Sequence, residues 1–152
     1  MPSVRDQIRM TDEEIRAFLA ERMVMQCATV GARGLPHVVP LWYVPEGLEL
    51  RGWTYAKSQK THNLERDPRA TAAIEDGVKY EELRGVMMEC DVEVERETER
   101  VVEYGLALAE RYGGGSEEMK QAFRKQAEKR VGLHFRPRRI VSWDHRKLGG
   151  RY

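Results

Sequence analysis

The sequence predicts a mainly β domain with some helix (α+β), folded as a closed or nearly closed antiparallel β-barrel of six or seven strands with short flanking helices. Strand-like runs follow one another with tight turns between them, as is typical of antiparallel sheets. With 152 residues, no internal repeat and no linker, the chain is expected to form a single domain over residues 1–152. A sheet of this size would expose its edges unless it closed on itself, so a barrel is favoured.

The first half of the chain is predicted to form one helix and then three strands. Thr11 and Glu14 have the spacing of a capping box, which indicates a helix that ends near Arg22. The runs that follow are rich in strand-forming residues, and glycine-containing turns separate them. The three predicted strands cover residues 23–30, 36–44 and 48–54.

The second half is predicted to mix helices and strands. Ser58 and the pair Asp67-Pro68 bound a short helix at residues 59–66. Three consecutive glycines then separate two further helices, because glycine favours helix ends. The remaining predicted elements are strands at 69–75 and 86–95, helices at 97–112 and 116–129, and two short strands at 131–135 and 139–143 around a turn at 136–138.

Charge and hydropathy argue against nucleic-acid and membrane partners. The chain has 26 basic and 25 acidic residues and a net charge of +1, unlike the basic field of a nucleic-acid binder. The local cluster Arg136, Arg138 and Arg139 is interpreted as a solvated turn. No apolar run has the length of a membrane span, and the first ten residues lack the apolar region of a signal peptide. We therefore expect a cytoplasmic protein.

The segment of residues 48–73 carries the strongest functional signal. A strand runs into Ser58, which is a plausible N-cap of the following helix. Unpaired N–H groups and a partial positive charge at a helix N-terminus favour an anion. Lys60 and Thr61 add an ammonium and a hydroxyl at the same place, which is the chemistry of a phosphate site. The alternative is an ordinary capped helix.

Pro40 and the three tryptophans are candidates for contact with a flat ligand. Proline cannot donate a ladder hydrogen bond, so Pro40 indicates either an edge strand or a bulge. A bulge would free the N–H groups around Leu41 and Trp42 for a heteroaromatic ligand. Trp42, Trp53 and Trp143 could cover such a ligand, but each taken singly is more typical of a barrel core or an interface.

Motifs for metal binding and hydrolysis do not occur in the sequence. The four histidines form no HxxxH or HExxH pattern, so no metal site is expected. Cys27 and Cys90 lie in apolar or alternating runs and are expected to be buried free thiols. Because no nucleophile–base pair is evident, any enzymatic reactivity is expected to come from a bound redox cofactor.

The order of these segments resembles the pyridoxamine 5′-phosphate oxidase-like split β-barrel proteins. The resemblance covers about residues 11–73 and returns at residues 140–150, IVSWDHRKLGG. Within that family, the chain is most similar to the flavin/deazaflavin oxidoreductase branch. The most specific stretch comprises Lys60, Thr61, Asn63, Leu64, Arg66, Asp67, Pro68 and Arg69.

This resemblance implies an FMN-binding split barrel that forms a homodimer with two cofactor sites at the subunit interface. The cofactor is FMN or the deazaflavin coenzyme F-420, with a slight preference for F-420. An anionic tail on F-420 would need further cations, for which Lys57, Lys79, Arg84 and Arg136 are candidates. The implied cofactor-binding residues are Lys60 and Thr61 at the phosphate, Ser58 and Gln59 on the same loop, Val39, Pro40 and Leu41 beside the ring, and Trp53 and Thr54 on the adjacent strand.

The function that the resemblance implies is hydride transfer between F-420 or FMN and a small organic substrate. Oxidation of pyridoxamine phosphate itself is not expected, because an arginine and a C-terminal pattern of that enzyme are missing. No catalytic residue is assigned. The alternatives are a non-catalytic protein that binds a flavin or another planar ligand, and a haem-binding or haem-degrading protein that uses His62, His134 or His145.

Overall fold

The computed structural model describes residues 1–151 and, within them, has one antiparallel sheet of seven strands in the order β2-β1-β5-β6-β7-β4-β3. The strands are β1 (Met25–Val30), β2 (Pro36–Leu41), β3 (Val44–Glu46), β4 (Glu49–Tyr55), β5 (Arg69–Asp76), β6 (Arg84–Glu95) and β7 (Arg130–Asp144).

The two edges of this sheet are joined by only Trp42 and Tyr43, which connect β2 to β3. Seven flat strands would place the edges roughly 29 Å apart at about 4.8 Å per strand. Three Cα–Cα steps reach at most about 11 Å. The sheet therefore has to curl until its edges approach each other, which makes it the predicted split barrel of an α+β fold.

Five α-helices within residues 1–151 accompany the sheet, and short 3-10 turns follow β5, α5 and β7. The capping box of Thr11 and Glu14 is present and starts α2 as predicted. The short helix α1, which its own capping box starts at Ser3, was not predicted. The helices are α1 (Val4–Ile8), α2 (Asp12–Glu21), α3 (Gln59–Arg66), α4 (Thr98–Gly113) and α5 (Glu117–Gln126).

Apolar side chains form two clusters on opposite faces of β4. The larger cluster fills the barrel and includes Leu50 of β4 and Phe18 of α2. The smaller cluster lies between the sheet and the pair α4–α5, and it contains Trp53 and Leu108. Successive strand residues point to opposite faces, so β4 supplies both clusters.

Two predicted strand boundaries are wrong. The predicted strand at residues 36–44 ends at Leu41, and a separate strand β3 begins at Val44, because the chain crosses here from one sheet edge to the other. The predicted pair of strands around a turn at 136–138 is one strand, β7. β6 has 12 residues and pairs with β7 along its whole length, which a turn would have prevented.

The basic cluster at residues 136–139 therefore lies in a strand and not in a turn. Cys90 pairs with Pro137 and Glu89 with Arg139, so Arg138 is the extra residue of a bulge. The three arginines face acidic residues of β6 and form cross-strand ion pairs, namely Arg136 with Glu93, Arg138 with Asp91 and Arg139 with Glu89.

Pro40 lies in an edge strand and not at a bulge, the two alternatives that the sequence left open. β2 is the first strand of the sheet order, and its register with β1 is uninterrupted from Pro36 to Leu41. Proline is tolerated at an edge because its missing N–H need not pair with a second neighbour. No helix within residues 1–151 is long and apolar enough to cross a membrane.

Candidate functional site

The loop from β4 into α3 forms the predicted helix N-terminus. Ser58 is the N-cap, and its Oγ accepts a hydrogen bond from the N–H of Thr61 at 3.2 Å. The helix covers Gln59–Arg66, as predicted, and the N–H of Asp67 closes its last turn on the carbonyl of Asn63. The local sequence is thus sufficient to build this helix end.

Two threonine hydroxyls hold the loop in place. Thr54 Oγ1 donates to Ser58 Oγ at 3.3 Å, and Thr61 Oγ1 donates to the carbonyl of Tyr55 at 2.8 Å. Thr61 is fully buried. In this arrangement both hydroxyls fix the backbone of the loop, and direct contact of Thr61 with a phosphate stays a prediction.

Free donors remain at the same helix end. Within residues 1–151, the backbone N–H groups of Gln59 and Lys60 have no acceptor, as is usual for the first turn of a helix. The Gln59 side chain donates to Asn63 Oδ1 at 2.8 Å, and Asn63 donates to Thr29 Oγ1 at 3.0 Å. Asn63 therefore anchors α3 to β1 and leaves the helix N-terminus open.

Lys60 is half-buried, and its ammonium has neither a hydrogen bond nor an ion pair with any residue of the described chain. Burial lowers the pKa of Lys60, the nearby Cys27 thiol opposes that shift, and the Arg130 guanidinium adds to it. A partly desolvated cation without a partner is unfavourable, and an anion would relieve it.

A cleft of about 630 Å³ opens beside this helix end. Two backbone segments line it, residues 55–58 and residues 128–129, and the N–H of Ala56 joins them by donating to the carbonyl of Lys129 at 2.9 Å. Lys57 and Lys129 contribute two cations to its wall, and Glu128 contributes one carboxylate.

Of the four cations considered for an anionic tail, only Lys57 lies at this cleft. Arg84 pairs with Glu21 and Asp76, and Arg136 pairs with Glu93. Lys79 follows the end of β5 remote from α3.

The strand residues of the predicted site converge from two directions. Val39, Pro40 and Leu41 lie on the edge strand β2, and the β2–β3 link then turns toward β4. A Cβ atom placed on Gly52 would lie 3.1 Å from the carbonyl oxygen of Trp42 and 3.6 Å from Leu41 Cδ2. The structure thus brings the end of β2 against the strand that carries Trp53 and Thr54.

Trp53 and Thr54 point to opposite faces of β4. Thr54 faces the barrel and contacts Ser58. The Trp53 ring is 7% exposed and stacks on Phe123 of α5, with ring centroids 5.2 Å apart. The indole is therefore enclosed by the helices, and contact of Trp53 with a cofactor stays a prediction.

The other tryptophan and histidine candidates from the sequence lie in separate parts of the molecule. Trp42 is 45% exposed and stacks on Tyr112 at 4.2 Å. His62 lies exposed on α3, whereas His134 is buried and bonds Glu49 at 2.9 Å. His145 contacts the ring of Tyr80. No group of three or more His, Cys, Asp or Glu side chains in residues 1–151 is placed to hold a metal ion.

Sequence reasoning missed Arg130. This residue opens β7 and lies opposite Tyr55 in the β4–β7 register, close enough to Lys60 to shift its pKa. Its position follows from strand pairing across 75 residues of chain, which no local pattern reveals.

Three solved structures resemble this chain over most of its length. The conserved hypothetical protein Rv2991 from Mycobacterium tuberculosis is 39% identical, with a TM-score of 0.90 over 99% of this chain and 95% of that protein. An F420 reductase is 24% identical, with a TM-score of 0.66 over 82% of this chain and 94% of that one. HutZ, the heme storage protein from Vibrio cholerae, is 20% identical, with a TM-score of 0.68 over 86% of this chain and 93% of that one.

The two more distant likenesses show the fold alone. Among curated proteins, none matches this chain significantly. The family model described as pyridoxamine 5′-phosphate oxidase matches residues 11–144, which include every strand of the sheet and the whole of α3. The chain therefore belongs to the pyridoxamine 5′-phosphate oxidase-like family of split β-barrel proteins.

Proposed function

We propose that the protein is an oxidoreductase that binds a flavin-type cofactor, FMN or F-420, with the cofactor phosphate at the start of α3. The observation that carries this proposal is Lys60, a half-buried ammonium without an acceptor in the described chain. It lies in the first turn of a capped helix whose first two N–H groups also have no acceptor within the described residues. This combination matches the chemistry of a phosphate group.

The residues present fit such a cofactor. Lys60 would hold the phosphate with the N–H groups of Gln59 and Lys60, while Ser58 and Thr61 keep the loop in the required shape. The ends of β2 and β4, around Val39–Leu41 and Thr54, would place the ring. A bound flavin or deazaflavin supplies hydride chemistry itself. The protein's part is binding, orientation and exclusion of water.

The excess of lysines over acids at the cleft favours F-420 slightly over FMN. Lys57 and Lys129 line the cleft next to the phosphate position. An oligoglutamate tail carries several negative charges and gains from nearby cations, whereas FMN ends at its phosphate. The substrate in this proposal is a small organic molecule, and the cofactor sites lie at the interface of a homodimer.

A fluorescence titration tests the proposal. FMN and F-420 are added separately to the apo-protein, and quenching of ligand fluorescence gives each dissociation constant. We expect micromolar or tighter binding of at least one. Binding of neither ligand would contradict the flavin proposal.

Lys60→Ala is expected to weaken cofactor binding by at least about 1 kcal/mol, roughly fivefold, the scale of a charge-assisted hydrogen bond. Lys79→Ala is the matched control, because Lys79 is exposed and remote from α3. Equal affinities for the wild type and Lys60→Ala would mean that the phosphate binds elsewhere.

A turnover assay and a haem titration on the same apo-protein distinguish the two alternative functions. Tight cofactor binding without turnover on any substrate would favour a non-catalytic binding protein. A Soret band on addition of haem, abolished by alanine at His62, His134 or His145, would favour a haem protein.

A further inference from the structure

Arg130 is a cation without a charged partner among residues 1–151. Burial lowers the pKa of Arg130, whereas an electrostatic interaction and a hydrogen bond with the Tyr55 side chain raise it. Its Nη2 donates to Gln126 Oε1 at 2.8 Å, and its Nε is buried without an acceptor. A buried donor without a partner calls for an explanation, and a bound ion is one such explanation.

Two aromatic rings hold this guanidinium. Arg130 Cζ lies 4.0 Å from the centroid of the Tyr55 ring and 4.7 Å from that of Trp53. Trp53 is in turn stacked on Phe123 of α5, and Gln126 comes from the same helix. Stacking of a guanidinium on ring faces restricts its rotation, so its remaining donors have a defined direction.

Lys60 and Arg130 lie near each other at the start of α3. Arg130 pairs with Tyr55 in the β4–β7 register, and the carbonyl of Tyr55 accepts a hydrogen bond from Thr61 in the first turn of α3. In agreement with this position, the Arg130 guanidinium contributes to the lowered pKa of Lys60. Neither has a carboxylate partner in residues 1–151, although most arginines of the sheet do. Two neighbouring, partly buried cations repel each other unless an anion lies between them.

We propose that Arg130 is a second cationic ligand of the anion site at α3, and that Lys60 and Arg130 together bind one phosphate dianion. The identity of that dianion as a cofactor phosphate rests on the proposed function above. The helices α4 and α5 then contribute to the site, since their contacts with Trp53 and Arg130 hold the guanidinium in place.

Arg130→Met tests this role with FMN and riboflavin, two ligands that differ only by the phosphate. Methionine keeps an apolar stem against the rings and removes the charge. We expect at least about a fivefold loss of FMN affinity, the same scale as for Lys60→Ala, and no change for riboflavin. Arg130→Lys should recover part of the loss, whereas Arg124→Met, which removes an exposed charge from α5, should have no effect. Equal losses for FMN and riboflavin would mean that Arg130 is only structural.

Inorganic phosphate separates this inference from the proposed function. In a ¹⁵N NMR titration of the wild type, phosphate should shift the Gln59 and Lys60 amides and the Arg130 Nε–H signal, and these shifts should shrink in Arg130→Met. Such shifts without any flavin binding would support the two-cation site and overturn the flavin proposal. Absence of shifts in the wild type, or flavin binding that Lys60→Ala weakens and Arg130→Met does not, would overturn the role of Arg130.

Discussion

At the scale of single residues, Lys60 and Thr61 are neighbours in sequence with opposite surroundings. The Thr61 hydroxyl is fully buried and already donates to the Tyr55 carbonyl. The Lys60 ammonium is half-buried and has no acceptor within residues 1–151. Of the two, only Lys60 has donors to offer an anion without first breaking a hydrogen bond. Lys60 is therefore the residue at which the phosphate hypothesis is best tested.

The two cysteines give a prediction for stability at high pH. Burial raises the pKa of Cys27 to about 11 and that of Cys90 to about 12, well above the usual range of a thiol. Between pH 9 and 11 the unfolded thiols lose protons that the folded thiols keep, so unfolding is favoured as the pH rises. We expect the free energy of unfolding, measured in urea, to fall by about 3 kcal/mol from pH 8 to pH 10 through these thiols.

The control for this measurement is the double variant Cys27→Ala/Cys90→Ala. It lacks both thiols and should lose less stability over the same pH interval, whatever its absolute stability. The same slope in both proteins would show that the thiols are not responsible.

At the scale of elements, α4 supports the site region at two points. Near its middle, Gly105 lets the Trp53 ring of β4 approach the helix backbone. At its C-terminal end, Tyr112 Oη accepts from the N–H of Tyr43 and lies 2.8 Å from the Tyr43 carbonyl. The helix thus fixes both β4 and the link between β2 and β3, the two parts of the sheet that converge on the candidate ring position.

Gly105→Ala is predicted to destabilise the protein although alanine favours helices. In an exposed helix the change would gain about 1 kcal/mol. Here the new Cβ would lie 2.5 Å from Trp53 Cζ3, and overpacking of this kind costs typically about 1 to 3 kcal/mol. We therefore expect a net loss of stability in urea unfolding.

A variant that lacks the Trp53 ring tests whether the ring causes this loss of stability. In a Trp53→Leu background, which removes the ring, Gly105→Ala should be neutral or stabilising. Destabilisation of equal size in both backgrounds would place the strain elsewhere than at the ring.

At the scale of the whole molecule, β2 is an edge of the sheet with exposed apolar side chains along it. Val38 is 55% exposed and Leu35 68%, and Trp42 follows the strand. Exposed edges and apolar patches are typical of surfaces that another chain covers. This surface is the natural place for the proposed homodimer contact, next to Val39–Leu41.

Val38→Lys is accordingly predicted to shift the protein toward the monomer, because a buried lysine without a partner is unfavourable in an interface. Light scattering after gel filtration should give twice the mass of one chain, 17.7 kDa, for the wild type and a lower mass for the variant. Val78→Lys, at a 94% exposed loop position, should leave the mass unchanged. A monomeric wild type would contradict the dimer, and a dimeric Val38→Lys would place the interface elsewhere.

The sequence by itself determined the features that depend on neighbouring residues. The capping box of Thr11 and Glu14, the helix Gln59–Arg66 with Ser58 as its cap, and most strands follow from hydrogen bonds and side-chain periodicity within a few positions. The family resemblance, which rests on the same segments, is confirmed by the match over residues 11–144.

Only the tertiary structure decided what depends on pairing between distant segments. Continuous pairing with β6 makes residues 130–144 one strand, and the bulge at Arg138 absorbs the extra residue. Strand register sets Arg130 opposite Tyr55 and near Lys60, and helix packing encloses Trp53. Such contacts gain their free energy from surfaces that meet only after the sheet has curled, so no local sequence pattern predicts them.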